Sequence, residues 1–220
     1  MSRSISPLLA AGIVAGPLFV GASLVEAFTR DGFDITWHPI SLLSLGELGW
    51  IQITNFVVSG LLYVASAAGM RRALSAGRGS VWAPRLVALT GAGLVVAGVC
   101  TADAGAGFPP GAPEGAPDYS WHGILHEAGF AVTMVSWLAA CLVFRSRYSA
   151  VGERAWSRAC VAAPAAVVLV NVWPDLDSIS VRLVIGAGIQ FAFFAALILH
   201  VGAAAPDRAY AGSDVHISSR

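Results

Sequence analysis

The chain has 220 residues, of which 56% are hydrophobic and only 12% charged, and its 13 basic and 13 acidic side chains give a formal net charge of zero. At a mean hydropathy of +0.71 there is too little polar surface to cover a water-soluble globule, so the apolar excess must face lipid. The balanced charge argues against nucleic acid as a partner and leaves membrane lipids as the expected surroundings.

The expected architecture is an all-α polytopic membrane bundle, a single membrane domain over 1–220 with six transmembrane helices. A hydrocarbon core about 30 Å thick takes roughly 20 helical residues. Apolar runs of that order lie at 7–28, 51–70, 84–102, 122–144, 159–174 and 182–204, followed by a tail over 205–220. The first run follows Arg3 and carries small residues near its end, as a signal peptide does. It continues past a signal core through Leu24 and Val25 and is therefore expected to stay as a helix. The fifth is the shortest and holds Pro164 between Arg158 and Asp175.

The arginines orient this bundle, because cytoplasmic loops retain positive charge. Grouped by the proposed loops, Arg3, Arg71, Arg72, Arg78, Arg85, Arg145, Arg147, Arg154, Arg158, Arg208 and Arg220 fall on one side and Arg30 and Arg182 on the other. The expectation is a multi-pass protein of the cell membrane with N- and C-termini cytoplasmic. Glu26, Asp31, Asp34, Glu47, Asp103, Glu114, Asp118, Glu127, Asp175 and Asp177 gather on or near the outer side. Trp37, Trp50, Trp121 and Trp173 near the outer boundary, and Trp82 and Trp156 near the inner one, mark the interfaces independently.

The two outer connections at 29–50 and 103–121 are far longer than the 2–8 residues that join helices in bundles, and long ordered loops tend to be functional. The second, with its Gly-Phe-Pro-Pro-Gly-Ala-Pro-Glu-Gly-Ala-Pro-Asp run, is not helical. The first contains Ile40–Leu45, apolar enough to settle at the interface as a short helix. Cys100, Cys141 and Cys160, far apart and without a CxxC pair, read as small core residues.

The polar stretch that stands out is Asp118-Tyr119-Ser120-Trp121-His122-Gly123-Ile124-Leu125-His126-Glu127. His122 and His126 lie one turn apart on one helix face, a spacing that binds one metal ion if further ligands come from elsewhere. His38, Asp103, Glu127 and Glu26 are available at the same depth. An HxxxH pair also serves as an interfacial hydrogen-bonding pair, and the glutamate here follows the second histidine and not the first, as HExxH would require. Pro39 biases His38 to an extended backbone and so aims its imidazole. Ser41 beside it is a nucleophile in one reading and a turn cap in the other. Glu26, Asn55, Asn171 and Gln190 interrupt apolar helices and are expected to face the bundle interior. His200, alone near the inner end, reads as an interface residue.

The loop His38-Pro39-Ile40-Ser41-Leu42-Leu43-Ser44-Leu45-Gly46, the helix entry Trp50-Ile51-Gln52-Ile53-Thr54-Asn55-Phe56, and the Asp118–Glu127 stretch resemble the DUF998 family of bacterial and archaeal six-helix membrane proteins. The resemblance covers roughly residues 7–204. It implies that fold and a membrane location, and it brings no reaction with it.

Several functions are compatible with a polar site made of Glu26, His38, Ser41, Asp103, His122, His126 and Glu127. One is a structural or accessory membrane protein of unassigned activity. Another is a metal-dependent membrane hydrolase acting on a lipid-like substrate, with zinc held by His38, His122 and His126, and Asp103 or Glu127 acting as base to a bound water. A third is a protein that binds or transports a small cation or amine. Haem held between two histidines ranks last. All of them expect the 29–50 loop to meet the start of the fourth helix, bringing His38 to His122 or His126.

Overall fold

The computed structural model describes residues 5–174 and 178–204. The expected tail over 205–220, and Asp175 and Asp177, lie outside the described residues. The chain runs through α1 (Pro7–Thr29), α2 (Gly49–Ala73), α3 (Trp82–Val99), α4 (Trp121–Ala150), α5 (Arg154–Asn171) and α6 (Ile179–Ala204), with a 3₁₀ turn at Ile40–Ser44 and no strand among the described residues. All but α5 are long and apolar enough to cross a membrane. The 18 residues of α5 open with Arg154 and Arg158, which lowers its hydropathy without breaking the helix.

Local chemistry sets the ends. Ser6 caps α1 by accepting the Leu9 N–H at 3.4 Å, with Pro7 in the first turn where its missing donor costs nothing. Ser120 caps α4 by accepting the Gly123 N–H at 3.1 Å. At the other end, Arg71 and Arg72 lie in the last turn of α2 and Arg147 in the last turn of α4, where cations complement the helix dipole. Arg147 Nη1 also donates to the carbonyls of Ala76 and Arg78, each at 3.0 Å, and so ties the α2–α3 connection to α4. The bundle therefore has an arginine-rich end with short connections and a histidine-bearing end with the two long ones, α1–α2 and α3–α4.

Lipid supplies no hydrophobic drive between helices, so their association depends on close packing and interhelical hydrogen bonds. Both are present. A Cβ on Gly60 would stand 2.5 Å from the Gly91 carbonyl oxygen, and one on Gly91 would stand 2.4 Å from that of Gly60. The same reciprocity joins Gly93 to Gly129, at 2.6 and 2.7 Å. At these two crossings α2, α3 and α4 touch backbone to backbone. Between α1 and α2 the contact is polar: Gln52 Nε2 donates to Ser23 Oγ at 3.0 Å, and Asn55 Nδ2 donates to the Phe19 carbonyl and to Gln52 Oε1, both at 3.0 Å. Opposite, α6 seals against the core through Phe191, on Phe19 and Tyr63, and Phe194, on Tyr63 and Trp137.

As expected, Glu26, Asn55 and Gln190 are buried, and Asn171 is half-buried. Cys141 and Cys160 are buried free thiols. Trp50, Trp121 and Trp173 are exposed at the histidine-bearing end and Trp82 at the other.

Candidate functional site

The loop between α1 and α2 is held from below and from above. From below, Arg30 Nη2 donates to the carbonyls of Leu43 at 2.6 Å and Leu45 at 3.0 Å. This closes the C-terminal end of the 3₁₀ turn, whose Leu42, Leu43 and Ser44 are buried. From above, His38 reaches into the α3–α4 loop. Its Nδ1 accepts the Asp34 N–H at 2.9 Å, so the ring proton sits on Nε2 and is donated to the Ala106 carbonyl at 2.9 Å. The Trp37 indole shares that carbonyl at 3.3 Å, and the imidazole packs against Phe33 and Phe108, which also touch each other. The adjacent Asp34 carboxylate accepts the Thr36 hydroxyl and amide, and the hydroxyl bond foremost holds its pKa below the ordinary value.

A second joint lies where α3 hands over to α4. The last carbonyls of a helix lack intrahelical partners, and here the two histidines of α4 supply them. His126 Nδ1 lies 2.7 Å from the Ala97 carbonyl and 3.0 Å from that of Cys100. One turn earlier, His122 Nδ1 lies 3.0 Å from the Thr101 carbonyl. The HxxxH spacing thus staples the start of α4 along the end of α3. Asp103 completes the joint: its carboxylate accepts the Ser120 amide at 2.8 Å and hydroxyl at 2.6 Å, at the helix N-terminus where an anion is favoured. The Ser120 hydroxyl is the main reason that the Asp103 pKa lies below its ordinary value, with His122 and His126 adding smaller contributions. A Cβ at Gly123 would meet Asp103 Oδ2 at 1.9 Å, so only glycine admits the carboxylate there.

These arrangements bear directly on the metal reading. His38 is committed at both ring nitrogens, whereas His122 and His126 each keep Nε2. Among the described residues no three His, Cys, Asp or Glu side chains are grouped to hold a metal ion. The 29–50 loop is expected to meet the start of α4; what the structure shows is that loop meeting the α3–α4 loop, through His38 and Trp37 on the Ala106 carbonyl. The structure does not assemble His38, His122 and His126 into one ligand set.

What the joints enclose is a cavity of about 590 Å³. Its wall is mostly apolar: Phe19, Ile40, Leu42, Phe56, Leu94, Phe130, Met134, Leu183 and Phe191 contribute, with Trp37 and the Gly105–Ala106 and Gly115–Pro117 segments of the α3–α4 loop. The polar groups in its wall are Ser41, Asp103, Glu114, Tyr119, His126, Glu127, Thr133, Asn171 and Gln190. Glu114, Tyr119 and Glu127 are exposed and mark the mouth, whereas His126 and Gln190 are buried. No arginine is among the described lining residues. Ser41, Asp103, His126 and Glu127 from the expected site therefore share this cavity, while Glu26, His38 and His122 are not part of its wall. Glu26 is buried beside Arg30, with Oε1 3.9 Å from Nη2.

Glu114, Tyr119 and Thr133 were not among the expected site residues. Phe130 and Thr133 stand four and seven residues after His126 and so share its face, a signal that was available. Glu114 and Tyr119 lie in a proline-rich loop with no period to read. At the opposite end, His200 is more than an interface residue: its Nε2 pairs with Glu153 Oε2 at 2.6 Å and its ring stacks on Trp156 at 4.3 Å.

A family model with the description "Protein of unknown function (DUF998)" matches residues 13–205. No curated protein matches, and no solved structure does.

Proposed function

The chain belongs to the DUF998 family, and we propose that this integral membrane protein binds a long-chain amphipathic cation, its apolar part in the cavity and its cationic head among the carboxylates of the mouth. The observation that carries this reading is the cavity itself: about 590 Å³, apolar over most of its wall, with Asp103, Glu114 and Glu127 at its polar side and no arginine among the described lining residues. Such a volume is in the range of small-molecule sites. An acid-lined mouth attracts positive and repels negative head groups. The gathering of arginines at the opposite end supports a mouth on the outer side of the cell membrane, and activity of reporter fusions at Gly77 and Gly152 in the cytoplasm is the expected check of that orientation.

The test uses two ligands of equal chain length and opposite charge. Titration calorimetry in a nonionic detergent, corrected for partition into empty micelles, should give clearly tighter binding of dodecylamine than of dodecanoate. Replacing Glu114→Gln and Glu127→Gln together should weaken dodecylamine by roughly 5- to 30-fold, since two carboxylates near water each contribute about 1 kcal/mol. Equal affinity for the two ligands, or no binding of either, would reject this function.

A further inference from the structure

We propose that His126 Nε2 is the hydrogen-bond acceptor that meets the ligand's head group, so that the cavity takes an ammonium carrying an N–H and discriminates against a quaternary ammonium of the same chain length. This rests on the cationic reading above and adds the acceptor that carboxylates alone would not require.

Three observations lead there. His126 Nδ1 faces two carbonyl oxygens, those of Ala97 and Cys100. Carbonyls only accept, so Nδ1 must carry the proton, and in the neutral ring Nε2 is left with the lone pair. The residue is 4% exposed and lines the cavity, and Nε2 has no hydrogen-bond partner among the described residues. Nε2 is not among the fully buried side-chain atoms that lack a partner, so the small exposure of this residue reaches it, and an acceptor left open on a residue that lines the cavity is available to a donor there. The ring is also fixed: the two carbonyls hold one edge and Phe56 meets it edge-on at 5.9 Å. By comparison His122 is placed on the Thr101 carbonyl outside the wall and has no such role.

A carboxylate attracts any cation, methylated or not, and also accepts an N–H, so a His126 variant is what separates the share of the imidazole. A lone pair on a neutral imidazole gains only from a donor proton. The discriminating experiment is therefore a methylation series in wild-type protein: dodecylamine, its N-methyl and N,N-dimethyl forms, and dodecyltrimethylammonium, each corrected for micelle partition. All four are cations at neutral pH, and the first three retain an N–H. Affinity should hold through the first three and fall at the last step by on the order of tenfold or more, the size expected for a charge-assisted hydrogen bond. His126→Asn keeps a donor where Nδ1 stands, so the Ala97 and Cys100 carbonyls stay satisfied, but places no acceptor where Nε2 stands. In that variant the last step should shrink to within about twofold of the earlier ones.

A gradual decline with each added methyl would mean that size, not a lone pair, sets the preference, and would overturn the inference while leaving the cationic reading intact. So would a last step of unchanged size in His126→Asn. Failure of wild-type protein to bind any of the four would overturn both. Should His126→Asn not fold, the series is repeated in the Glu114→Gln, Glu127→Gln protein: a last step of the same size there keeps the acceptor at His126, and a step that vanishes overturns the inference.

Discussion

Replacing His38 by alanine tests whether this histidine is a structural clasp. The substitution removes the acceptor of the Asp34 amide and the donor to the Ala106 carbonyl, two hydrogen bonds worth about 1 kcal/mol each net. It also removes the ring packed on Phe33 and Phe108, and aromatic contacts contribute roughly 0.5–1.5 kcal/mol. The expected loss is about 3 kcal/mol, measured by reversible denaturant unfolding in detergent. Because His38 is one of the two side chains that hold the Ala106 carbonyl to the 29–50 loop, proteolysis within 104–118 should accelerate as well. His38→Phe keeps the packing without the hydrogen bonds and should recover about 1 kcal/mol of the loss. The titration is run both with a chelator and with added zinc. A loss below about 0.5 kcal/mol would refute the clasp, and zinc stabilisation of wild type that disappears in His38→Ala would assign His38 to a metal instead.

Further outcomes follow from the same contacts. Asp103 has a folded-state pKa below its ordinary 3.8, so its stabilisation is complete above that pH and is lost as the pH falls below it. Unfolding of wild type should therefore grow easier in that acid range, and Asp103→Asn should flatten that part of the pH profile. Gly91→Leu forces a side chain into the Gly60 backbone and should cost several kcal/mol or prevent assembly, read as loss of a monodisperse peak on size exclusion in detergent. Gln52→Leu strips a partner from Ser23 and from Asn55 and should cost about 1–3 kcal/mol by the same unfolding assay, with no change in dodecylamine affinity.

The helices were legible because lipid forces a long apolar run wherever the chain crosses. Starts and ends departed by a few residues, most at the end of α4 and the start of α5, where Arg145, Arg147, Arg154 and Arg158 fall outside what a hydropathy window accepts. The buried polar residues were legible for a related reason: Asn55 and Gln190 have no role facing hydrocarbon, so their presence marks the interior. The partners of the histidines were not legible. His38, His122 and His126 each bind backbone carbonyls, of Ala106, Thr101, and Ala97 with Cys100, and a carbonyl is present at every position whatever the side chain. Three histidines at one level suggested a shared ion because side chains alone carry identity in a sequence. The cavity escaped for a similar reason: its wall is shared by several helices, with Phe130 on α4 and Gly186 and Ala187 on α6, and no pattern along one helix records what its neighbour leaves empty.

The glycine contacts along α3 also decide which side of the molecule can act as a door. Where Gly60 meets Gly91 and Gly93 meets Gly129, carbonyl oxygens sit so close to the facing helix that sliding or parting would trade packed backbone for void, so α2, α3 and α4 behave as one panel. Beside this panel, packed on α4 and α6, α5 buries only Cys160 and Val167, while its last residue Asn171 borders the cavity. Of the walls around the cavity, the one made by α5 is therefore the one whose movement would give up least packed surface.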